Sequence, residues 1–366
     1  MKKIDFSSKN YQLQLKHKLN ILEEQLRSAD IHLPEIEVFS SPKQNFRMRA
    51  EFRVWHEGHT SHYAMHDPKT KQVYTLTNFP IASKAICERM SALMVAINAE
   101  RELSHRLFQV EFLSTTKNEL LISLIYHRPL GQAWEHYARE LEKKLNAYII
   151  GRSRKQKTVL SQDYVTEQML VDNTVYSYQQ TENSFTQPNA AVCQNMLQWA
   201  CDQALKINPN TDKDLLELYC GNGNFSLPLS KRFHKVLATE VSKTSVRSAQ
   251  LNIENNAIEN VQIMRLSSEE TVQALNKVRE FRRLKNIDLD SYDFSTVFVD
   301  PPRAGLDNTT IELIKKFDQI IYISCNPKTF INNIQSLKGY VIKDFAAFDQ
   351  FPYTDHLEIG AILTKE

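Results

Sequence analysis

The stretch LLELYCGNGNFSLPLS, residues 215–230, decides the fold. Its opening run LLELY (215–219) is apolar enough to be a strand buried on both faces, as parallel strands are. Gly221 and Gly223 follow where the strand gives way to a helix. Glycine lets the backbone bend tightly there and approach a ligand with no Cβ in the way. Outward from this point the pattern repeats in KVLATE (235–240), VQIM (261–264), TVFVD (296–300) and IIYIS (320–324), with helical stretches between. Strand and helix in alternation predict an α/β fold with a doubly wound sheet. Two late strands are expected near Tyr340 to Phe345 and Leu357 to Leu363.

The front of the chain has a different rhythm. Leu15, Leu19, Leu22 and Leu26 repeat at helical spacing among Lys, Glu and Gln, which predicts an amphipathic helix. Phe46, Met48, Ala50, Phe52 and Val54 alternate with Arg47, Arg49, Glu51, Arg53 and Trp55, which predicts a strand with one buried and one basic face. Short strands are expected around Tyr63 to His66 and Val73 to Thr77, separated by the turn signal Asp67-Pro68. A helix over Ser83 to Asn98, strands over Val110 to Ser114 and Leu120 to Tyr126, and a helix over Gln132 to Leu145 complete an α+β unit on an antiparallel sheet. The changeover between the halves falls within Gln180 to Gln187, which divides the chain into 1–180 and 181–366.

Composition narrows the function classes. No run of 18 apolar residues is present, so no membrane span is expected. The opening MKKIDFSSKNYQLQ lacks the apolar core of a secretory signal, so the expected location is cytoplasmic. The five cysteines, Cys87, Cys193, Cys201, Cys220 and Cys325, form no C-x-x-C pair, which argues against a disulfide framework or a metal site. Residues 1–180 hold 25 Lys and Arg against 20 Asp and Glu, whereas residues 181–366 hold 20 against 23. A basic front joined to an acidic back fits a polyanion-binding part attached to a catalytic part.

Candidate site residues lie at the ends of the back-half strands. Glu240 ends the second strand, where an acidic side chain can accept hydrogen bonds from ribose hydroxyls. After Gly221-Asn222-Gly223 come Asn224 and Phe225, and no third glycine follows at the dinucleotide spacing. That departure favours an adenosine without a pyrophosphate. Asp300 ends the fourth strand, and Pro301 and Pro302 then force the chain out of the sheet. Cys325 follows the fifth strand between polar neighbours, which suits a partly exposed thiol in the same cleft. Cys220 also ends a strand, and a structural role is assigned to it. His356 and Glu358 open the final strand, and either an imidazole or a carboxylate there can act as a base.

Taken together, ELYCGNGNFSL, FVDPPRAGLD, YISCNP and DQFPYTDHLE, preceded by NSFTQPNA (183–190), resemble the RNA uracil-5-methyltransferase family in order and spacing. In the front half, FRMRAEFRVWHEG and HRLFQVEFL resemble the tRNA-modifying members. The resemblance implies a Rossmann-like class I methyltransferase sheet dependent on S-adenosylmethionine, with an N-terminal α+β RNA-binding domain. It implies methylation of carbon 5 of uridine 54 in the tRNA T loop, with the T-like loop of tmRNA as a candidate second substrate, by a monomer. Carried over residue by residue, Gln187, Tyr219, Asn224, Glu240 and Asp300 would contact S-adenosylmethionine, Cys325 would be the nucleophile and Glu358 the proton acceptor. Ribosomal-RNA members carry a TRAM barrel and a four-cysteine iron–sulfur cluster. Here the front half has only Cys87, and no further domain is expected ahead of the helix at Leu15 to Leu26, so neither the cluster nor a metal is expected.

This chemistry requires a nucleophile, because carbon 5 of uracil is too electron-poor to take a methyl group unaided. A thiolate added at carbon 6 makes carbon 5 electron-rich and splits one hard step into easier ones. The target base must also be flipped out of its RNA loop. Arg47, Arg49 and Arg53, with Phe108, Tyr126 and His127, are the candidates for phosphate and stacking contacts. The rival readings are the same reaction on 23S ribosomal RNA, an adenine amino-group methyltransferase, and a non-catalytic RNA-binding or RNA-folding protein. Arg303, where the adenine enzymes carry an aromatic residue, disfavours the second.

Overall fold

The computed structural model describes residues 7–67 and 70–366. Pro68 of the expected Asp67-Pro68 turn and the first six residues of the opening segment lie outside the described residues. The chain forms two compact units, and neither is continuous in sequence. One comprises Pro42–Gln168 and Gln179–Ala190, and the other Ser7–Ser41, Met169–Tyr178 and Ala191–Glu366. A single cut at 180/181 therefore does not describe them. The N-terminal helix goes with the back half, and the segment 179–190 goes with the front.

In the larger unit, eight strands make one sheet. Their spatial order is Ile36–Phe39, Tyr340–Phe348, Glu358–Lys365, Gln319–Ser324, Phe294–Val299, Asp214–Leu218, Val236–Thr239, Val261–Met264. All neighbours pair parallel except Glu358–Lys365, which is antiparallel to both Gln319–Ser324 and Tyr340–Phe348. Asp214–Leu218 is first of the back-half strands in the chain but central in the sheet. Its successors leave to opposite sides, which makes its carboxyl end a topological switch point where ligands bind. Ile36–Phe39 is an edge strand that the sequence pattern did not reveal, because it is short and half-exposed.

The amphipathic helix is Ser8–Ser28, with the Ser7 hydroxyl accepting from the Asn10 N–H at its start. Tyr11, Leu15, Leu22 and Leu26 are buried in the same apolar cluster as Phe330, Phe345 and Leu357. The helix is thus part of the core of the larger unit.

In the smaller unit, seven strands run in the order Val73–Leu76, Thr60–His66, Arg49–Glu57, Leu107–Ser114, Leu120–Tyr126, Tyr148–Ser153, Gln156–Val159. Every pair is antiparallel except Leu120–Tyr126 with Tyr148–Ser153. Helices Lys84–Ala99 and Gln132–Leu145 supply Met90, Leu93, Trp134 and Leu141 to the core beneath. The segment 179–190 is laced on by Glu182. Its carboxylate takes two bonds from Arg152, at 2.5 and 2.6 Å, and one from the Ser123 hydroxyl at 2.8 Å. Among the described residues, no helix is long and apolar enough to cross a membrane.

Truncation of the buried Leu22 tests the place of the N-terminal helix. Leu22→Ala is expected to destabilise the protein by about 2–5 kcal/mol, read as urea unfolding followed by tryptophan fluorescence.

Candidate active site

The loop after Asp214–Leu218 is built from left-handed backbone. Tyr219, Gly221 and Gly223 have φ of 62°, 57° and 81°. A Cβ at Gly221 would meet nothing within 4 Å, so this glycine faces open space. A Cβ at Gly223 would lie 3.0 Å from Leu227 Cδ1 and 3.5 Å from Ala249 Cβ, so this glycine lets the loop seat against helix Lys243–Asn255. Glu240 accepts the Gly221 N–H at 3.1 Å on one oxygen and the Ser242 N–H at 2.7 Å on the other. Each carboxylate oxygen keeps a second lone pair for a ligand hydroxyl. The Asn224 amide lies 3.5 Å from Cys193 Sγ, and its carbonyl accepts the Tyr178 hydroxyl at 3.0 Å.

Two supports of this loop escape the sequence pattern. Asn252, fully buried on the helix behind, donates to the Asn222 carbonyl at 3.0 Å. Glu217, also buried, accepts the Ser226 hydroxyl at 2.6 Å. Burial, with Asp300's charge added, pushes the Glu217 carboxyl up to about 8.

The ends of the next strands bring a thiol and two more carboxyl groups together. Asp300 is half-buried, and its surroundings push it up to about 7. Glu358 is 4% exposed and rises to about 8, through burial first and Asp300's charge second, with Arg303 opposing. Cys325 is half-buried, and its thiol rises to about 11. The causes are burial, then the charges of Glu358 and Asp300, again opposed by Arg303. Cys325 and Glu358 thus both feel the charges of Asp300 and Arg303, and Cys325 also that of Glu358.

Side-chain bonds brace the loops that carry them. Asn326 caps helix Pro327–Ser336 and donates to the Arg303 carbonyl at 3.0 Å. Asn333 on that helix accepts the Leu306 N–H at 2.9 Å and the Tyr322 hydroxyl at 2.8 Å.

Of the two candidate bases, only Glu358 is inside this group. His356 is exposed, with its ring edge toward Phe351. Cys220, at 4% exposure, has its thiol pushed far up by burial, as suits a core residue. Gln187 is half-buried and belongs to the other compact unit. Among the described residues no group of three or more His, Cys, Asp or Glu is placed to hold a metal ion.

The nucleic-acid candidates of the smaller unit divide in two. Arg53 lies over the Phe108 ring at 3.9 Å, and Phe108 stacks on His127 at 4.1 Å. Phe108 and His127, with Val54, His56, Arg106 and Leu107, line a surface cavity of about 420 Å³. The other three are engaged in the fold. Arg49 donates to the carbonyls of Glu182 and Ser184, both at 2.9 Å, and Arg47 donates to the Arg49 carbonyl at 2.9 Å. Tyr126 is 1% exposed and donates to the Leu103 carbonyl, so it has no ring face to offer a base. The expectation of RNA contacts from Arg49 and Tyr126 is corrected accordingly. Alternation along a strand shows which face a residue is on, and neither what that face packs against nor which carbonyls claim a guanidinium.

Residues 10–366 match the family model described as tRNA (Uracil-5-)-methyltransferase. The chain belongs to this family. Within it, the chain is 56% identical to the tRNA/tmRNA (uracil-C(5))-methyltransferase of Saccharophagus degradans, over 98% of this chain and 97% of that one. Identity to the protein of the same name from Cellvibrio japonicus is 53%, over 99% and 97%. Among solved structures, the tRNA (uracil-54, C5)-methyltransferase of Pyrococcus abyssi, in complex with S-adenosyl-L-homocysteine, superposes with a TM-score of 0.72. That match has 21% identity and covers 97% of this chain and 83% of that one, so it shows that the fold is shared.

The electrostatics of this family member's thiol can be checked directly. A thiolate is the reactive form, so alkylation of Cys325 by iodoacetamide should rise with pH toward a midpoint near about 11. Above pH 8 Glu358 is a carboxylate and holds that midpoint up. Glu358→Gln removes the negative charge, and the midpoint is expected to move to lower pH. Mass spectrometry of the Cys325 peptide provides the readout.

Proposed function

We propose that the protein transfers a methyl group from S-adenosylmethionine to carbon 5 of uridine 54 in the tRNA T loop, and of the matching uridine in the T-like loop of tmRNA. The observation that carries this reading is the half-buried Cys325 thiol beside Glu358 at the carboxyl ends of the sheet. Identity above 50% to two tRNA/tmRNA (uracil-C(5))-methyltransferases over nearly the whole chain supports the substrate class. The same reading places the protein in the cytoplasm, as a monomer.

The residues present fit the methyl donor. Gly221 leaves open the space a Cβ would fill, and Glu240 keeps lone pairs for ribose hydroxyls. Asp300, Tyr219 and Asn224 stand at the same strand ends, and Gln187 is proposed as a further contact. When bound, S-adenosylmethionine supplies an electrophilic methyl group on a positively charged sulfur.

Cys325 gives its proton to solvent and its sulfur adds to carbon 6 of the uracil, moving the ring electrons toward the carbonyl at carbon 4. Carbon 5 then forms a bond to the methyl carbon as the methyl–sulfur bond breaks. Carbon 5 now carries both a hydrogen and a methyl group. Glu358, ionised, removes the hydrogen as a proton. Those electrons rebuild the carbon 5–carbon 6 double bond and expel the Cys325 thiolate. A carboxyl group near pH 8 suits this task, because a base acts best when its pKa lies near the working pH.

Grip on the RNA is assigned to the other unit. The Arg53–Phe108–His127 stack offers a cation and aromatic faces, and aromatic stacking of a base is worth ~1–3 kcal/mol. Arg47 at the strand's start is kept as a weaker candidate.

Methyl transfer from labelled donor to separated unmodified tRNA and 23S ribosomal RNA tests the substrate. Label is expected at tRNA nucleotide 54, and label only in ribosomal RNA contradicts the proposal. Cys325→Ala is expected to abolish transfer. Glu358→Gln should lower turnover by about 10²–10⁴-fold while still forming a covalent protein–RNA adduct.

A further inference from the structure

The N-terminal helix Ser8–Ser28 carries a lysine, Lys18, that is almost completely buried. Its ammonium group has three N–H donors, and all three are directed at one segment of chain. They reach Asp349 Oδ1 at 2.7 Å, the Phe351 carbonyl at 2.8 Å and the His356 carbonyl at 2.8 Å. The segment 349–357 is the loop that leads into Glu358.

Two more residues on the same stripe of the helix hold this loop. Tyr11 donates to Asp349 Oδ2 at 2.7 Å and accepts the Ser41 N–H at 2.8 Å. Gln14 donates to the Thr354 carbonyl at 2.6 Å and accepts the Tyr353 N–H at 3.4 Å. Residues 11, 14 and 18 are spaced three and four apart and so share one helix face. Tyr353, at the crown of the loop, sits at φ 65°, a backbone state unfavourable for a bulky residue that persists when its surroundings impose it.

Among the described residues, no hydrogen bond anchors the Glu358 carboxylate in this way. Burial and the charges of Asp300 and Arg303, rather than hydrogen bonds, govern its ionisation. Its place in the cleft therefore depends on where its backbone is held. That backbone pairs with Phe348 on one side of the loop and follows the Lys18-bound His356 by two residues on the other.

We propose that Lys18, with Tyr11 and Gln14, is a positioning cluster that fixes the 349–357 loop and so sets the Glu358 carboxylate for proton abstraction. The cluster makes the N-terminal helix a working part of the catalytic unit. It acts on the release step and not on recognition of the methyl donor. The proposal rests on the assignment of Glu358 as the base and of Cys325 as the nucleophile.

The test uses the full chain, unmodified tRNA and S-adenosylmethionine, with wild type, Lys18→Met and Gln14→Ala. Single-turnover methyl transfer and denaturation-resistant protein–RNA adduct are followed together over a pH series. In Lys18→Met, resolution of the adduct is expected to slow roughly tenfold while KM for tRNA stays within about twofold, since small misplacement of a catalytic group chiefly lowers kcat. The adduct should then accumulate. Gln14→Ala, at a half-buried position, should show the same effect to a smaller degree. It decides the matter alone if Lys18→Met fails to fold. Adduct resolution at the wild-type rate in a folded variant, or a loss confined to KM, overturns the proposal. Wild type that never forms an adduct, with Cys325→Ala still active, overturns the underlying assignment as well and is distinct from a clamp variant that behaves like wild type.

Discussion

Crowding of negative charge in a place poor in water is the constraint on which the site depends. Glu217, Asp300 and Glu358 and the thiol of Cys325 share the carboxyl end of one sheet, where the guanidinium of Arg303 opposes the charges on Glu358 and Cys325. Removing an ionised group from water disfavours its charge, and like charges nearby disfavour it further. At neutral pH the thiol therefore holds its proton, and the carboxyl groups sit near the balance point. A group of side chains in this state favours a positively charged ligand and holds its nucleophile in reserve. The same shift that suppresses the thiolate keeps Glu358 close to the pH at which a base works best.

The fold produces this crowding by topology rather than by local sequence. Asp214–Leu218, Phe294–Val299 and Gln319–Ser324 run parallel, so their carboxyl ends fall on the same edge, and each delivers one chemical group there. The antiparallel Glu358–Lys365 enters from that edge, so it contributes its first residue and not its last. The braces are polar and specific. Asn333, Asn326 and Asn252 tie the loops to the helices behind them, and Lys18 ties the loop before Glu358 to a helix more than three hundred residues away in sequence.

Much of the catalytic unit was legible in the sequence, because strands buried on both faces have no polar positions to blur them. VQIM coincides with its strand, and the other core runs lie within a residue or two of theirs. Cys325 stood out because polar and prolyl neighbours at a strand's end are out of place in a core, and Glu358 because it is a carboxylate opening the final strand. The strands Tyr148–Ser153, Gln156–Val159, Tyr164–Val171 and Thr174–Thr181 were not legible, since their residues mix polar and apolar without a clean period. Lys18 did not stand out among the polar residues between the leucines, because burial of an ammonium needs distant partners that no local pattern reveals. Arg49 and Tyr126 misled for the same reason, and so did the boundary near 180, where Glu182 and Arg152 hold the 179–190 segment to the front unit.

The central claim is a bond between Cys325 sulfur and carbon 6 of the target uracil, and a substrate that cannot complete the reaction reports on it most directly. A T-arm RNA with 5-fluorouridine at position 54 has fluorine where Glu358 would remove a proton, so release is blocked after methyl transfer. Incubation with S-adenosylmethionine, digestion and mass spectrometry should find the methylated fluorinated nucleotide on the peptide that contains Cys325. No adduct, or one mapped to Cys87 or Cys220, would contradict the account.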